Sequence, residues 1–198
     1  MPQLTFLYEF ASTYSYLSAM RIAQVAGKAG VSVTWQPFLL GPIFKAQGWH
    51  DSPFNIYPAK GRYMVRDIER IAAARGLVFR MPKEFPANGL TAARIALLDL
   101  APGWTETFSR MVFEAQFGRG EDIADTDVLA RISAQLDQNF TSLVTLAATD
   151  DSKRRLRQIT ERAVRIGVFG APSFVTSDGE LFWGDDRLEQ AVNWALQL

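Results

Sequence analysis

Residues 4–10 are apolar on both faces, the pattern of a strand buried from both sides in a sheet that carries helices; Glu9 is the one charge in the run. The spacing predicts a helix over 13–29 that stops near Gly30. Val31, Val33 and Trp35 then alternate with Ser32, Thr34 and Gln36, a strand of period two. Strand, helix and strand in this order make a βαβ unit with the two strands parallel.

Strand signals then cease for more than a hundred residues. Met64, Ile68, Ile71 and Ala72 fall on one helical face that ends before Gly76. The Ala/Leu-rich run from Thr91 to Leu100 stops at Pro102-Gly103, and Trp104 to Phe117 reads as helical. Asp125 or Thr126 caps a helix bearing Val128, Leu129, Ile132 and Leu136, and a short helix is expected near 140–148. Asp150 and Asp151 open a further helix with Arg162 and Arg165 near its end, charges that complement the helix dipole. Strands return at Ser173 to Thr176, turn at Ser177-Asp178-Gly179, and pair back over Glu180 to Trp183. A last helix starts near Asp186. The βαβ and ββα ends, residues 1–40 and 150–198, are expected to form one domain, with residues 41–149 as an all-helical insertion.

Composition narrows the function classes. Lys+Arg and Asp+Glu number 21 each, which gives no support to nucleic-acid or membrane-surface binding. No stretch approaches the roughly 20 apolar residues of a membrane span. Met1-Pro2-Gln3 lacks the charged start of a signal peptide, so a cytoplasmic location is expected. There is no cysteine, which excludes disulfides, thiolate metal sites and disulfide exchange by the chain's own thiols. Any sulfur chemistry must come from a bound thiol. The single histidine, His50, lies in a loop-like stretch and reads as a surface or supporting residue rather than a metal or triad centre.

Five stretches carry a resemblance. They are Phe10-Ala11-Ser12-Thr13-Tyr14-Ser15-Tyr16-Leu17, Pro37-Phe38-Leu39-Leu40-Gly41, Lys60-Gly61-Arg62-Tyr63-Met64, Gly167-Val168-Phe169-Gly170-Ala171-Pro172-Ser173-Phe174 and Phe182-Trp183-Gly184-Asp185-Asp186-Arg187-Leu188. In this order and spacing the chain resembles the 2-hydroxychromene-2-carboxylate isomerase family, kin of kappa-class glutathione transferases and of DsbA-type oxidoreductases. The resemblance covers nearly the whole length. It implies an α/β thioredoxin-like fold (βαβ + ββα) with a large helical insertion, glutathione as cofactor, a small aromatic or unsaturated substrate, and a homodimer. The activity it implies is a glutathione-dependent isomerisation. A kappa-like transferase or peroxidase and a non-catalytic thioredoxin-like binding module are the alternatives.

The resemblance also assigns residues. Ser12, by position an N-cap worth about 1 kcal/mol, falls where the family places its catalytic serine. Thr13 stands where the family usually has proline and is a second candidate donor facing the substrate. Pro172 is expected in cis, with Ala171 presenting its N–H and C=O to a peptide-like ligand. Asp186 and Arg187, with Asp185 beside them, match the pair that holds the γ-glutamyl end of glutathione; by position alone they read as a solvated helix start. Lys60 and Asn55 match the region that holds the glycyl carboxylate, although a lysine in the first turn of an amphipathic helix is also an ordinary surface residue. Phe44, Trp49 and Tyr57, in a Gly41 to Pro58 loop without helical spacing, read either as core or as an aromatic substrate wall. Asn88 is a polar candidate near the substrate.

Overall fold

The computed structural model describes all of residues 1–198. Strand β1 (Gln3–Tyr8) leads through α1 (Thr13–Ala19) and α2 (Ile22–Ala29) to β2 (Ser32–Pro37). Eight helices follow: α3 (Leu40–Ala46), α4 (Pro53–Ile56), α5 (Pro58–Ala74), α6 (Leu90–Ala96), α7 (Trp104–Phe113), α8 (Thr126–Gln135), α9 (Phe140–Ala147) and α10 (Asp150–Arg165). The chain closes with β3 (Ser173–Thr176), β4 (Leu181–Trp183), a 3₁₀ turn at Asp185–Arg187 and α11 (Leu188–Ala195). No helix is long and apolar enough to cross a membrane.

The four strands form one sheet in the order β2-β1-β3-β4. β1 pairs in parallel with β2, Phe6 opposite Trp35, and antiparallel with β3, Phe6 opposite Phe174. The βαβ and ββα halves predicted from the two ends of the chain therefore share a sheet, as a thioredoxin-like fold requires. Because side chains alternate across a strand, β1 feeds two cores. Leu4, Phe6, Tyr8 and the following Phe10 enter a cluster of 39 buried residues that also takes Ile68 of α5, Ile95 of α6, Phe108 of α7 and Leu129 of α8. Leu7 faces the other way, with Val175, Phe38, Ile43 and Ala163. Sheet and helical segment thus share a continuous core.

The structure departs from the pattern in four places. The predicted helix over 13–29 is broken at Met20-Arg21. Arg21 leaves the helical conformation (φ −131°), and its guanidinium is drawn to the Asp185 carboxylate and carbonyl and to Glu189. The expected loop from Gly41 to Pro58 contains α3 and α4. The first carries Gly41 and Pro42, two poor helix formers, in its first turn, and the second is a single turn with Pro53 in its first position and Ser52 as cap, too short for periodicity to show. Beyond Phe113 the predicted helix widens into a π-helical turn, Glu114–Gly118. At the C-terminus, the 3₁₀ turn precedes the last helix, which starts at Leu188. Asp125 is the cap of α8, its carboxylate accepting from the Asp127 N–H.

Phe6 is fully buried, with its ring centroid 4.9 Å from Trp35, 5.1 Å from Tyr8 and 5.6 Å from Phe174. Phe6→Ala should cost about 3–5 kcal/mol, the range for truncating a buried aromatic. Urea denaturation should show a lower midpoint with an unchanged slope, whereas the half-exposed Val164→Ala should move it by less than about 0.5 kcal/mol.

Candidate functional site

The site forms where β1 ends and β3 begins. The chain turns after Tyr8, and the Ser12 N–H donates to the Glu9 carbonyl at 3.0 Å. Ser12 is extended (φ −89°, ψ 116°) and caps α1, its hydroxyl oxygen accepting from the Ser15 N–H at 3.1 Å. The same hydroxyl donates to the Ala171 carbonyl at 3.0 Å. The Ala171–Pro172 peptide is cis. The Ala171 N–H has no backbone partner within the chain, so a donor stands open beside the Ser12 hydroxyl.

These groups sit in a cleft of about 1460 Å³ between the sheet end and the helical segment. Of the residues singled out from the sequence, Ser12, Ala171, Phe44, Trp49, Lys60, Asn88, Asp185, Asp186 and Arg187 line it. Phe44 and Trp49 pack on each other at 5.5 Å and form one wall. The exposed pair Phe169 and Trp183, 4.8 Å apart, forms part of another. Asp186 and Arg187 pair at 3.1 Å on the rim, both solvent-exposed. The Asn88 side-chain oxygen accepts from the Leu90 N–H, leaving its amide nitrogen available.

Four candidates are placed elsewhere. Thr13 is buried, and its hydroxyl donates to Met64 Sδ at 3.2 Å, away from the cleft. Pro172 is buried and does not line the cleft. Asn55 lies in a neighbouring, shallower groove, where its amide nitrogen reaches Asp51 and the Phe85 carbonyl. Tyr57 is half-exposed outside the cleft, its ring 5.5 Å from the Lys60 ammonium.

Asp185 lines the cleft but is committed internally. Its carboxylate accepts from Ser18 Oγ at 2.9 Å, Arg21 Nε at 3.2 Å and Arg75 at 2.7 Å. It ties α1, α2 and the end of α5 to the turn that carries Asp186 and Arg187. A carboxylate so surrounded holds the rim in place and has little capacity left for a ligand amine.

Sequence reasoning missed Glu9. It is buried and lines the cleft, and its Oε2 accepts from the Leu40 N–H at 2.9 Å. Burial pushes its pKa up to about 7, opposed by the amides of Leu40, Ala11 and Phe10. The signal was a charged residue inside an otherwise apolar strand run. Arg75 was also missed, as was Tyr14, whose hydroxyl donates to Asp67 at 2.9 Å and whose pKa is raised by burial and by that carboxylate.

Two stability measurements check this electrostatic layout. Asp185→Ala leaves two guanidinium groups without their shared carboxylate and should cost about 3 kcal/mol in urea denaturation. For Glu9 the folded-state pKa lies above the ordinary carboxyl value of 4.5. Between pH 4.5 and 7 the folded chain then holds a proton that the unfolded chain has lost, so stability falls as pH rises through that window. The loss amounts to about 3 kcal/mol at roughly 1.4 kcal/mol per unit. Glu9→Gln should remove this component of the pH dependence, seen as a smaller fall in wild-type-referenced stability between those limits.

The chain is 26% identical over 195 residues to the 2-hydroxychromene-2-carboxylate isomerase of Sphingobium xenophagum, covering 98% of this chain and 97% of that one. It is 28% identical over 198 residues to human glutathione S-transferase kappa 1, covering 92% and 85%. A solved 2-hydroxychromene-2-carboxylate isomerase structure superposes with a TM-score of 0.87 at 22% identity, over 97% of this chain and 93% of that one. The family described as the DSBA-like thioredoxin domain matches residues 3–194, and with nearly the whole chain inside that match, this protein belongs to it.

Proposed function

We propose that this protein is a glutathione-dependent isomerase of the 2-hydroxychromene-2-carboxylate isomerase type. The observation that carries the reading is the Ser12 hydroxyl, 3.0 Å from the Ala171 carbonyl at the base of a large cleft, in a chain without cysteine. The donor set fits a γ-glutamyl tripeptide. The open Ala171 N–H and its carbonyl can pair with a peptide-like ligand as a short strand would. Arg187 and Lys60 offer cations to carboxylates, and Asp186 offers a carboxylate to an amine. When bound, glutathione supplies the thiol that the chain lacks, a nucleophile that can add transiently to an unsaturated carbon.

Ser12 would serve as the donor to sulfur. With its oxygen held by the Ser15 N–H, its O–H can rotate from the Ala171 carbonyl toward a neighbouring anion. A donor so placed favours the ionised thiol and lowers its pKa. Phe44 and Trp49 supply an apolar wall for a planar unsaturated substrate, and Asn88 a polar group at its edge. The kappa-type transferase reading differs in stoichiometry, since a transferase consumes glutathione and an isomerase regenerates it.

Ser12→Ala should raise the thiol pKa of bound glutathione, read by ultraviolet thiolate absorbance against pH. Turnover of 2-hydroxychromene-2-carboxylate at neutral pH should fall by roughly 10²-fold or more, the scale for losing one oxyanion-type donor. Glutathione affinity, measured by calorimetry, should change little, because the anchoring groups remain. Unchanged absorbance and turnover would reduce Ser12 to a helix cap and remove the basis of this reading.

A further inference from the structure

Only two acidic side chains are buried in this fold, Asp185 and Glu9. Asp185 is neutralised by Arg21 and Arg75. Glu9 has no cation. Its Oε2 accepts from the Leu40 amide at 2.9 Å, and the amides of Ala11 and Phe10 lie close by. Oε1 lies toward Gly89, where a Cβ would stand 3.4 Å from it and only 2.9 Å from the Phe10 Cβ. Glycine at 89, just before α6, therefore sets no side chain of its own against that oxygen. Glu9, Gly89 and Ser12 line the same cleft. A buried carboxyl without a cation, lining the cleft with Oε2 on the Leu40 amide and Oε1 beside a glycine, is placed to exchange a proton with a molecule bound there.

We propose that Glu9 is a catalytic proton carrier of this cleft, Oε1 taking a proton from an acidic position of a bound unsaturated carbonyl substrate and returning it to the same molecule. The inference rests on the isomerase reading above and adds a residue to it. The substrate X–H bond breaks with its electron pair left on X, and an Oε1–H bond forms. That bond then breaks to place the proton on a second atom of the substrate. Atoms and electrons balance, as an isomerisation requires, and no oxidant or reductant enters. Its raised pKa, about 7, keeps both protonation states populated near neutrality.

The other role open to Glu9 is structural, as acceptor for an orphan amide at the start of α3, whose Leu39 cap position makes no side-chain cap bond. Glu9→Gln separates the two roles, because the amide oxygen still accepts from Leu40 but cannot carry the proton. The elements packed against Glu9 also carry Lys45 on α3, Arg94 on α6, and Tyr14 and Tyr16 on α1. Across the cleft stand Lys60 and Asp67 of α5, Arg75 just beyond its end, His50 and Asp51 between α3 and α4, and Asp185 with the Asp186–Arg187 pair. None of these side chains hydrogen-bonds the carboxyl, so a pH limb assigned to Glu9 must vanish with Glu9 alone.

The experiment uses the full chain with glutathione and 2-hydroxychromene-2-carboxylate as probe. Infrared difference titration without either ligand should show a carboxyl titrating near pH 7 in the wild type, absent in Glu9→Gln. Bound-thiolate absorbance should be the same in both, which also separates the thiol's titration from the carboxyl's. In Glu9→Gln, kcat should fall by roughly 10²- to 10⁴-fold, the scale of general acid–base catalysis. KM should change little, and the rising limb of kcat/KM near pH 7 should disappear. Wild-type kcat and an intact limb in Glu9→Gln would overturn the proposal and leave Glu9 as the α3 acceptor. If Glu9→Gln does not fold, Glu9→Asp keeps an ionisable group with shorter reach. It should lower kcat and displace the limb, and an unchanged profile would overturn the proposal equally. No wild-type turnover together with no bound thiolate would defeat the isomerase reading itself, and Glu9's role with it. Loss confined to Glu9→Gln, with thiolate intact, is the supporting result.

Discussion

The antiparallel pairing of β1 with β3 is the contact on which the site depends. It sets Leu7 opposite Ser173 and so brings the chain leaving β1 alongside the chain entering β3. Ser12 and Ala171 are 159 residues apart in sequence and one hydrogen bond apart in space. The register is held by side chains: Phe6 stacks on Phe174 on one face, while Leu7 and Val175 pack on the other. A slip of one residue would exchange those faces and send the large aromatics toward the smaller core. The cost of closing so long a loop grows only slowly with length. The helical segment between the strands offsets it further by packing into the same core as β1.

Legibility followed periodicity. The two-sided apolar run of β1, the alternation of β2 and the hairpin around Ser177-Asp178-Gly179 were all readable, because strand burial leaves a pattern in the sequence. α5, α8 and α10 were readable for the same reason at helical spacing. The failures occurred where a distant partner overrides the local pattern. Nothing near Arg21 announces that Asp185 and Glu189 will draw its side chain and break the helix. α3 and α4 are too short, and too rich in Gly and Pro, to carry a period. At the site, the resemblance pointed to stretches that border one cleft but could not say which way a side chain turns. Asn55 directly follows the cleft-lining Phe54 and Tyr57 stands three residues before Lys60, yet both lie outside the cleft.

Asp185 and Glu9 show how differently two buried carboxyls can be treated. Asp185 sits among two guanidinium groups and a hydroxyl, a network that joins three helices to the rim turn. Its burial is compensated and its role is mechanical: it sets where Asp186 and Arg187 stand. Glu9 is compensated only by backbone amides, which stabilise the anion less than a cation would, so desolvation prevails and the proton is held more tightly. A buried carboxyl without a cation lowers folding stability near neutral pH, and such a group persists most readily where that poise has a use.

Thr13 stands where the resemblance leads one to expect proline, and its environment bears on which hydroxyl faces the cleft. A proline in the first helical position has no N–H to satisfy and fixes the entry to the helix. Threonine lacks that constraint and brings a hydroxyl that must be accommodated. Here the hydroxyl is turned inward onto Met64 Sδ, joining α1 to the buried face of α5. Thr13 is almost wholly buried, so turning its hydroxyl into the cleft would require repacking against α5. Ser12 keeps the cap of α1 and the contact with Ala171 together, with an O–H that can rotate without moving the backbone. The two adjacent hydroxyls therefore divide by burial: Thr13 ties the first helix to the helical segment, and of the pair only Ser12 faces the cleft.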